Sequence, residues 1–437
     1  MPSLADAIGG IKRIVGGPFG SKLTQADYAE VGVPVIRGGN MERDGRWIGG
    51  NFVYVSHEKT ATDLVTNLAE AGDIIVTQRG TLGQVSIVPF NSQHSRFVIS
   101  QSQMAIKVDR RVADVNFVYY YLKSSLFLAY IERATIQTGV PHINLGVLRD
   151  APVDWPPISN QREIAAVLAT LDDKINLNRR MNETLEAMAR AIFKDWFVDF
   201  GPTRAKMEGR EPYLSPEIWA LFPDRLDDDG KPEGWLLSNI GQETHVVGGS
   251  TPSISEPRFW DGEFPWVTPK DMSQLSAPVL LQTDRKITQE GLKQIGSGLL
   301  PVGTVLLSSR APIGYLAISD IPVAINQGFI AMICNGKLSN IFSWLWVAAN
   351  TEAILARANG STFLEISKSN FRPIPVVFGA DELLKSFDRA VGPLWLKIRA
   401  NERERRELTE TRDLLLPKLM SGEIRIRDVM KIVGTAL

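Results

Sequence analysis

Reactive side chains are scarce here: one cysteine, Cys334, and four histidines, His57, His94, His142 and His245, in 437 residues. A lone cysteine closes no internal disulfide, and histidines this scattered match no zinc spacing. The nearest thing to a long apolar run, IFSWLWVAA at residues 341–349, is about half the roughly 20 residues a membrane-spanning helix needs. It reads as a buried helix. The opening MPSLADAIGG lacks the basic-then-apolar pattern of a secretion signal. These absences point to a reducing cytoplasm and away from a membrane. Charge of one sign is missing too: the net formal charge is −1, which excludes a uniformly basic nucleic-acid coat and leaves only local basic surfaces.

Catalytic signatures are also absent. The two Gly-Lys pairs are followed by Pro232 and Leu338, so neither closes a nucleotide-binding P-loop. No aromatic-ended Asn-Pro-Pro or Asp-Pro-Pro tetrapeptide of the amino-methyltransferase kind occurs. Asp224 followed by Asp229-Gly230-Lys231 mimics the spaced acids and lysine of a metal-dependent nuclease. Its setting is a Pro/Gly/Asp-rich stretch rather than rigid strand ends, which makes solvated acids the better reading.

What the chain has is itself, twice. GDIIVTQRGTLG (residues 72–83) returns as GTVLLSSRAPIG (303–314), 231 residues later, and VPVIRGGNM (33–41) returns as FPWVTPKDM (264–272) at the same offset. Gly16-Gly17 answers Gly248-Gly249. FVISQSQMAI (97–106) answers VAINQGFIAM (323–332) at an offset of 226, and LRDAPV (148–153) answers FRPIPVV (371–377) at 223. Ordered blocks with slowly drifting offsets mean a tandem duplication of roughly 200 residues.

Each copy begins as an irregular α/β (α+β) domain. IIVT and VLLSS are short β-branched runs bounded by glycine, FVISQSQMAI alternates like a strand, and residues 116–134 and 340–358 carry helical spacing. Each copy then changes character. Leu168, Leu171, Ile175, Asn178, Asn182, Leu185, Ala189, Ile192 and Trp196 fall three and four apart, and Val391, Leu394, Ile398, Asn401, Arg405, Leu408, Arg412 and Leu415 repeat the pattern 223 residues on. That is a heptad in each copy. Two helices of equal register are expected to pack on each other as an antiparallel coiled coil, with another subunit as the rival partner. Asn178 and Asn401, at equivalent seam positions, would fix register through their amides or sit at its wet edge. A helix over residues 160–197 would span about 55 Å. Pro393 should kink or restart the second helix. Residues 201–234, rich in Pro, Gly and acid, read as a connector.

The candidate chemistry is therefore display rather than catalysis. Gln78-Arg79-Gly80-Thr81 and Ser309-Arg310 follow apolar strands, so their side chains should project from turns on a rigid base. Arginine reads guanine bidentately and glutamine can read adenine. Arg37 to Asn40 and Thr268 to Asp271, with Lys270 between, form a second matched polar loop. Gln101 and Gln327 match in a third place, and His142 and Lys368 lie near the end of each copy. The alternative is that Arg79 and Arg310, kept in both copies, brace their own fold or touch phosphates.

The tandem copies, GGSTP at 248–252, GSTFLEISKSNFRPIPV at 360–376, the central SNQREIAAVLATLDDKINLNRRMNETLEAMARAIFKDWF at 159–197 and the closing LLLPKLMSGEI at 414–424 together resemble the specificity subunit of type I restriction-modification systems, over almost the whole chain. The resemblance implies target-recognition domains at residues 1–157 and 235–378, a central spacer helix at 158–200, the connector at 201–234, a C-terminal spacer helix at 379–425 and a tail at 426–437. It implies a chain without catalysis that reads a bipartite site on double-stranded DNA. Its helices would act as a ruler and dock two modification (methyltransferase) subunits, through which restriction subunits join. S-adenosylmethionine would belong to the modification subunit, and ATP and Mg²⁺ to the restriction subunit. The copies differ at Gly-Gly-Pro-Phe-Gly against Gly-Gly-Ser-Thr-Pro, and at Gly139-Val-Pro-His-Ile-Asn against Gly360-Ser-Thr-Phe-Leu-Glu-Ile, so the two halves of the site should differ. A self-sufficient nuclease or methyltransferase, and a tandem scaffold for protein or glycan, are the competing readings.

Overall fold

The computed structural model describes residues 3–4, 11–41, 45–134, 142–360 and 364–426; residues 139–141 and 361–363 of the compared stretches, and the tail from 427, lie outside them. The chain forms two units, Met1–Asn176 with Arg406–Leu437, and Leu177–Arg405. The last part of the C-terminal helix therefore completes the first unit, a division that no linear boundary expresses.

In the first unit an antiparallel sheet runs in the order Ile11–Gly16, Gln103–Val108, Ile74–Thr77, Val85–Ile87. A second, mixed sheet runs Tyr28–Ala29, Val53–Val55, Val33–Ile36, Arg96–Ile99, Leu68–Glu70. Ile74–Thr77 and Val33–Ile36 are buried along their whole length, which is why they read as continuous apolar runs rather than as alternation. The second unit repeats the plan. Its main sheet is ordered His245–Gly248, Phe329–Ile333, Val305–Ser309, Ile313–Ser319, Val279–Leu280, and a smaller one Arg285–Ile287, Trp260–Val267, Ala324–Ile325.

The duplication holds residue by residue. Val35 pairs in parallel with Val98 and Ile36 with Ile99; Trp266 pairs in parallel with Ala324 and Val267 with Ile325. Those partners stand at the offsets read from the sequence. Ile74 opposite Ile106 likewise becomes Val305 opposite Met332.

The stretch expected as one strand, FVISQSQMAI, is two. Arg96–Ile99 joins one sheet and Gln103–Val108 the other. The cause is a tight crossing at the intervening turn: the Gly17 amide donates to the Gln103 carbonyl at 2.9 Å, and a Cβ on Gly17 would lie 1.9 Å from the Ser100 carbonyl oxygen. Gly249 is crowded in the same way by the Ile325 carbonyl at 1.9 Å. Only glycine permits that approach. The helical stretches also break, at Ser124 between Val115–Lys123 and Ser125–Ala134, and at Asn350 between Asn340–Ala349 and Thr351–Ala356.

Two further expectations change. The C-terminal helix runs unbroken over Asp381–Met420, through Pro393; Pro393 is exposed, so the carbonyl that its missing N–H leaves free can turn to water. Residues 201–234 are folded rather than a bare connector: Gly201–Met207 and Pro216–Trp219 are helical, and Phe222 is 2% exposed with its ring 5.3 Å from that of Trp196. Its few aromatics anchor a polar segment onto the second unit's core.

Both long helices are 40 residues, Ile158–Phe197 and Asp381–Met420. Within the second unit Asn178 Nδ2 donates to Glu404 at 2.8 Å and Asn401 Nδ2 donates to Asn182 at 2.9 Å. Partner numbers fall as residue numbers rise, so the segments are antiparallel. Both seam asparagines find partners on the facing helix. In the first unit Asp172 accepts from Arg412 at 2.8 Å and from the Tyr120 hydroxyl at 2.7 Å. Leu168, Leu171, Ile175, Leu408 and Leu415 are buried in the first unit's core, and Val391, Ile398, Ala189 and Trp196 in the second's. Leu185, Ile192 and Leu394 pack against the second core half-buried. Within each unit these seam side chains pack against that unit's own core.

Asp172→Asn leaves Arg412 buried without its main counter-charge. Urea denaturation should show a loss of about 3 kcal/mol or more, the usual consequence of breaking a buried ion pair by removing one partner.

Candidate nucleic-acid interface

Three turns of the first unit surround one cleft of about 500 Å³. The first follows strand Val33–Ile36 and carries Arg37 and Gly38. The second follows strand Ile74–Thr77 and carries Arg79, Gly80 and Thr81. The third is the crossing at 100–103. Arg37, Arg79 and Thr81 are exposed, and neither guanidinium has a hydrogen-bonding or ionic partner among the described residues. Among those residues no aspartate or glutamate lines the cleft. The nearby Asp27 holds its charge elsewhere, accepting from the Thr24 amide at 2.7 Å and pairing with Lys59 at 2.9 Å. Those contacts hold its carboxyl down at about 2. The site is electropositive although the chain is not.

Gly80 has φ +90, and the equivalent Ala311 keeps φ +52. The left-handed residue turns the chain sharply behind each arginine, costly for alanine and free for glycine. In both units the same extended backbone then locks the arginine turn in place. Arg79 bridges His142, and the Ile143 amide donates to the Gln78 carbonyl at 3.0 Å; Arg310 bridges Glu365, and the Ile366 amide donates to Ser309 at 3.0 Å.

Several sequence candidates serve the turns rather than the surface. Asn40 is 2% exposed; its amide donates to the Gly49 and Asn51 carbonyls, both at 3.0 Å, and its oxygen accepts from the Arg37 amide at 3.0 Å. Gln78 is buried and donates to the Gln101 carbonyl at 2.6 Å. Gln101 donates to the Gly20 carbonyl at 2.6 Å. These side chains shape the loops that carry Arg37 and Arg79.

In the second unit the matching groups are answered by their neighbours. Arg310 stands 3.7 Å from Glu365, and Lys270 2.9 Å from Asp284. Thr268 caps the short helix Pro269–Ser273 through Asp271, at 2.6 Å from its hydroxyl. Ser309 is buried at its strand end. Gln327 is exposed and accepts from the Thr251 hydroxyl. Lys368 lies exposed with its stem over Gly248. The carboxylates of the nuclease-like stretch diverge: Asp224 pairs with Lys206 at 3.0 Å and Lys231 with Asp227.

Sequence reading missed Tyr28, Gln84 and Gln103 in the lining. It searched for positions that match between copies, whereas Gln103 stands where the second copy has Phe329 and Gln84 where it has Tyr315. Differences between the copies were the usable signal.

Asn40→Ala should lower stability by about 1–3 kcal/mol, because the buried Asn40 amide ties the Gly49 and Asn51 carbonyls to the Arg37 turn. Arg79→Gln, at an exposed position with no partner among the described residues, should stay within about 0.5 kcal/mol of the parent. Paired urea titrations separate the two.

A family model described as type I restriction modification DNA specificity domain matches residues 8–187 and 232–378. The chain is 26% identical over 418 residues to the type I restriction enzyme HindI specificity subunit of Haemophilus influenzae, covering 85% of this chain and 90% of that protein. It is 24% identical over 393 residues to the MjaIX specificity subunit of Methanocaldococcus jannaschii, covering 86% and 85%. In fold it is similar to the crystal structure of the type I restriction-modification S subunit from M. genitalium, with a TM-score of 0.50 at 17% identity, covering 94% of this chain and 93% of that one.

Proposed function

We propose, because this chain belongs to the family of type I restriction-modification DNA specificity subunits, that it reads a split, asymmetric site on double-stranded DNA, each mixed helix and sheet unit taking one half. The observation that carries this reading is the repeated arginine turn in unequal surroundings. Arg79 and Arg310 are held by the same backbone bridge, yet among the described residues one guanidinium has no partner and the other faces Glu365. Like scaffolds presenting unlike chemistry suit unlike half-sites.

On this proposal the chain is the specificity component, not the catalyst. Exposed faces of the two long helices dock two modification subunits, which bind S-adenosylmethionine; restriction subunits, with ATP and Mg²⁺, join through them. The near-neutral charge of the chain fits a complex in which partners share the phosphate contacts. Among the described residues no helix is long and apolar enough to cross a membrane, and the proposed site of action is the cytoplasm.

Methylation sequencing of the native genome, with and without this gene, tests the reading. Loss of one split, asymmetric adenine-methylation motif on deletion is the expected result, and an unchanged methylome counts against it. In the purified complex, Arg79→Gln should reduce the slope of log K against log salt by about 1 if Arg79 meets a phosphate. It should instead relax one base position if Arg79 meets a base.

A further inference from the structure

We infer that the cleft of the first unit takes one nucleotide swung out of the DNA duplex, its base against the carboxamide of Gln103 and its flanking phosphates on Arg37 and Arg79. This rests on the functional reading above and goes beyond it, since reading a half-site requires no base to leave the stack.

The argument starts from Gln103. Its side chain is 1% exposed, and it lines the cleft floor. The Ser100 hydroxyl donates to its Oε1, which fixes the amide with Nε2 as the free end. That Nε2 is buried and has no hydrogen-bond partner among the described residues. A buried donor without an acceptor is destabilising, and its persistence at the floor of an open cleft marks a place where an acceptor arrives from outside. A base edge held in the stack meets first the exposed Arg37 and Arg79, whereas Gln103 is 1% exposed. An extrahelical base can supply the acceptor: bases of this kind are read through their pairing edges and by stacking on aromatic side chains. Tyr28 is the aromatic residue in the lining, and a volume of about 500 Å³ lies in the ordinary range for small-ligand sites. At the rim, Arg37 and Arg79 supply the cations that a nucleotide's phosphates need, with no acid among the described residues of the lining to oppose them.

The second unit is built otherwise. Phe329 replaces Gln103, Pro269 replaces Gly38, and Glu365 faces the arginine. The extrahelical nucleotide belongs to one half-site only.

The test uses the complex of the full chain with its modification partners, on duplexes carrying the mapped methylation motif. A mismatch is placed in turn at every pair of both half-sites except the methylated adenines. At one position the mismatch should tighten binding about tenfold, because the unpairing is already done; elsewhere mismatches weaken it. Gly38→Ala places a methyl 3.9 Å from both Gln103 Nε2 and Gln84 Oε1 and meets nothing closer. It should keep the fold and abolish the gain. Gln103→Leu should lose discrimination among bases at that same position by about tenfold.

A motif with no tightening mismatch, or a gain that survives Gly38→Ala, overturns the inference and leaves the functional reading intact. Competition by free deoxynucleoside monophosphates as strong as that of the duplex also overturns it, in favour of a free-nucleotide site. A complex with no sequence preference overturns the functional reading and the inference together.

Discussion

The register of the two long helices is set by a few buried polar contacts, and the cores of both units are assembled around it. Leucine against leucine slides; the apolar seam alone would tolerate a shift of one heptad. Asp172 cannot shift, because Arg412 and the Tyr120 hydroxyl both reach it in the first unit's interior. In the second unit Asn401 donates to Asn182, and Asn178 to Glu404. Each misalignment would strand a charge or an amide away from water, and this penalty is what selects one alignment. The aromatic packing of the second unit depends on that choice. Phe197 meets Phe342 at 4.9 Å and Phe387 at 5.1 Å only while its helix stays in register with Asp381–Met420.

From that frame outward, each unit fixes its sheets to its helix segments by further ion pairs. Arg46 reaches Asp173 in the first unit, and Asp320 receives Arg399 and Arg403 in the second. The arginine turns are thus mounted on strands that are themselves tied to helices. A loop carried in this way can vary in sequence without moving. That explains how one scaffold, duplicated, can hold unlike side chains at equal places.

Much of this was legible in the residues. The offsets of 231 and 226 marked the duplication, and the strand partners of one unit recur in the other at those offsets, since a duplication that preserves apolar runs preserves their pairing. The heptads marked the seam positions, Asn178 and Asn401 among them, but left open whether the asparagines would be buried and whether the seam would be covered by this chain or by another. Other features were not legible for definite physical reasons. The turn at residues 100–102 interrupts an alternating pattern because of a backbone crossing at Gly17, a contact distant in sequence. Asp172 lies beside a seam leucine and looks like a solvated acid until Tyr120 and Arg412 are seen around it. The segment 201–234 has the composition of a linker, and only the placement of Trp219, Phe222 and Trp235 among polar residues hinted that it packs. Asn40 and Gln78 have the chemistry of base readers and the burial of struts, and burial is not written in residue type.

The membership of residues 406–420 in the first unit has a consequence for how the protein is made. Residues 1–176 are made well before residues 406–420, yet Leu168, Leu171 and Ile175 wait for Leu408, Leu415, Leu416 and Leu419. Domains commonly fold in order of synthesis; here the earlier unit is the later to be finished. Until then its half of the seam stands open to water and to any apolar surface nearby. A nascent chain of this design stays exposed until residues 406–420 are made, and losing that segment injures a unit whose sheets are encoded far upstream of it.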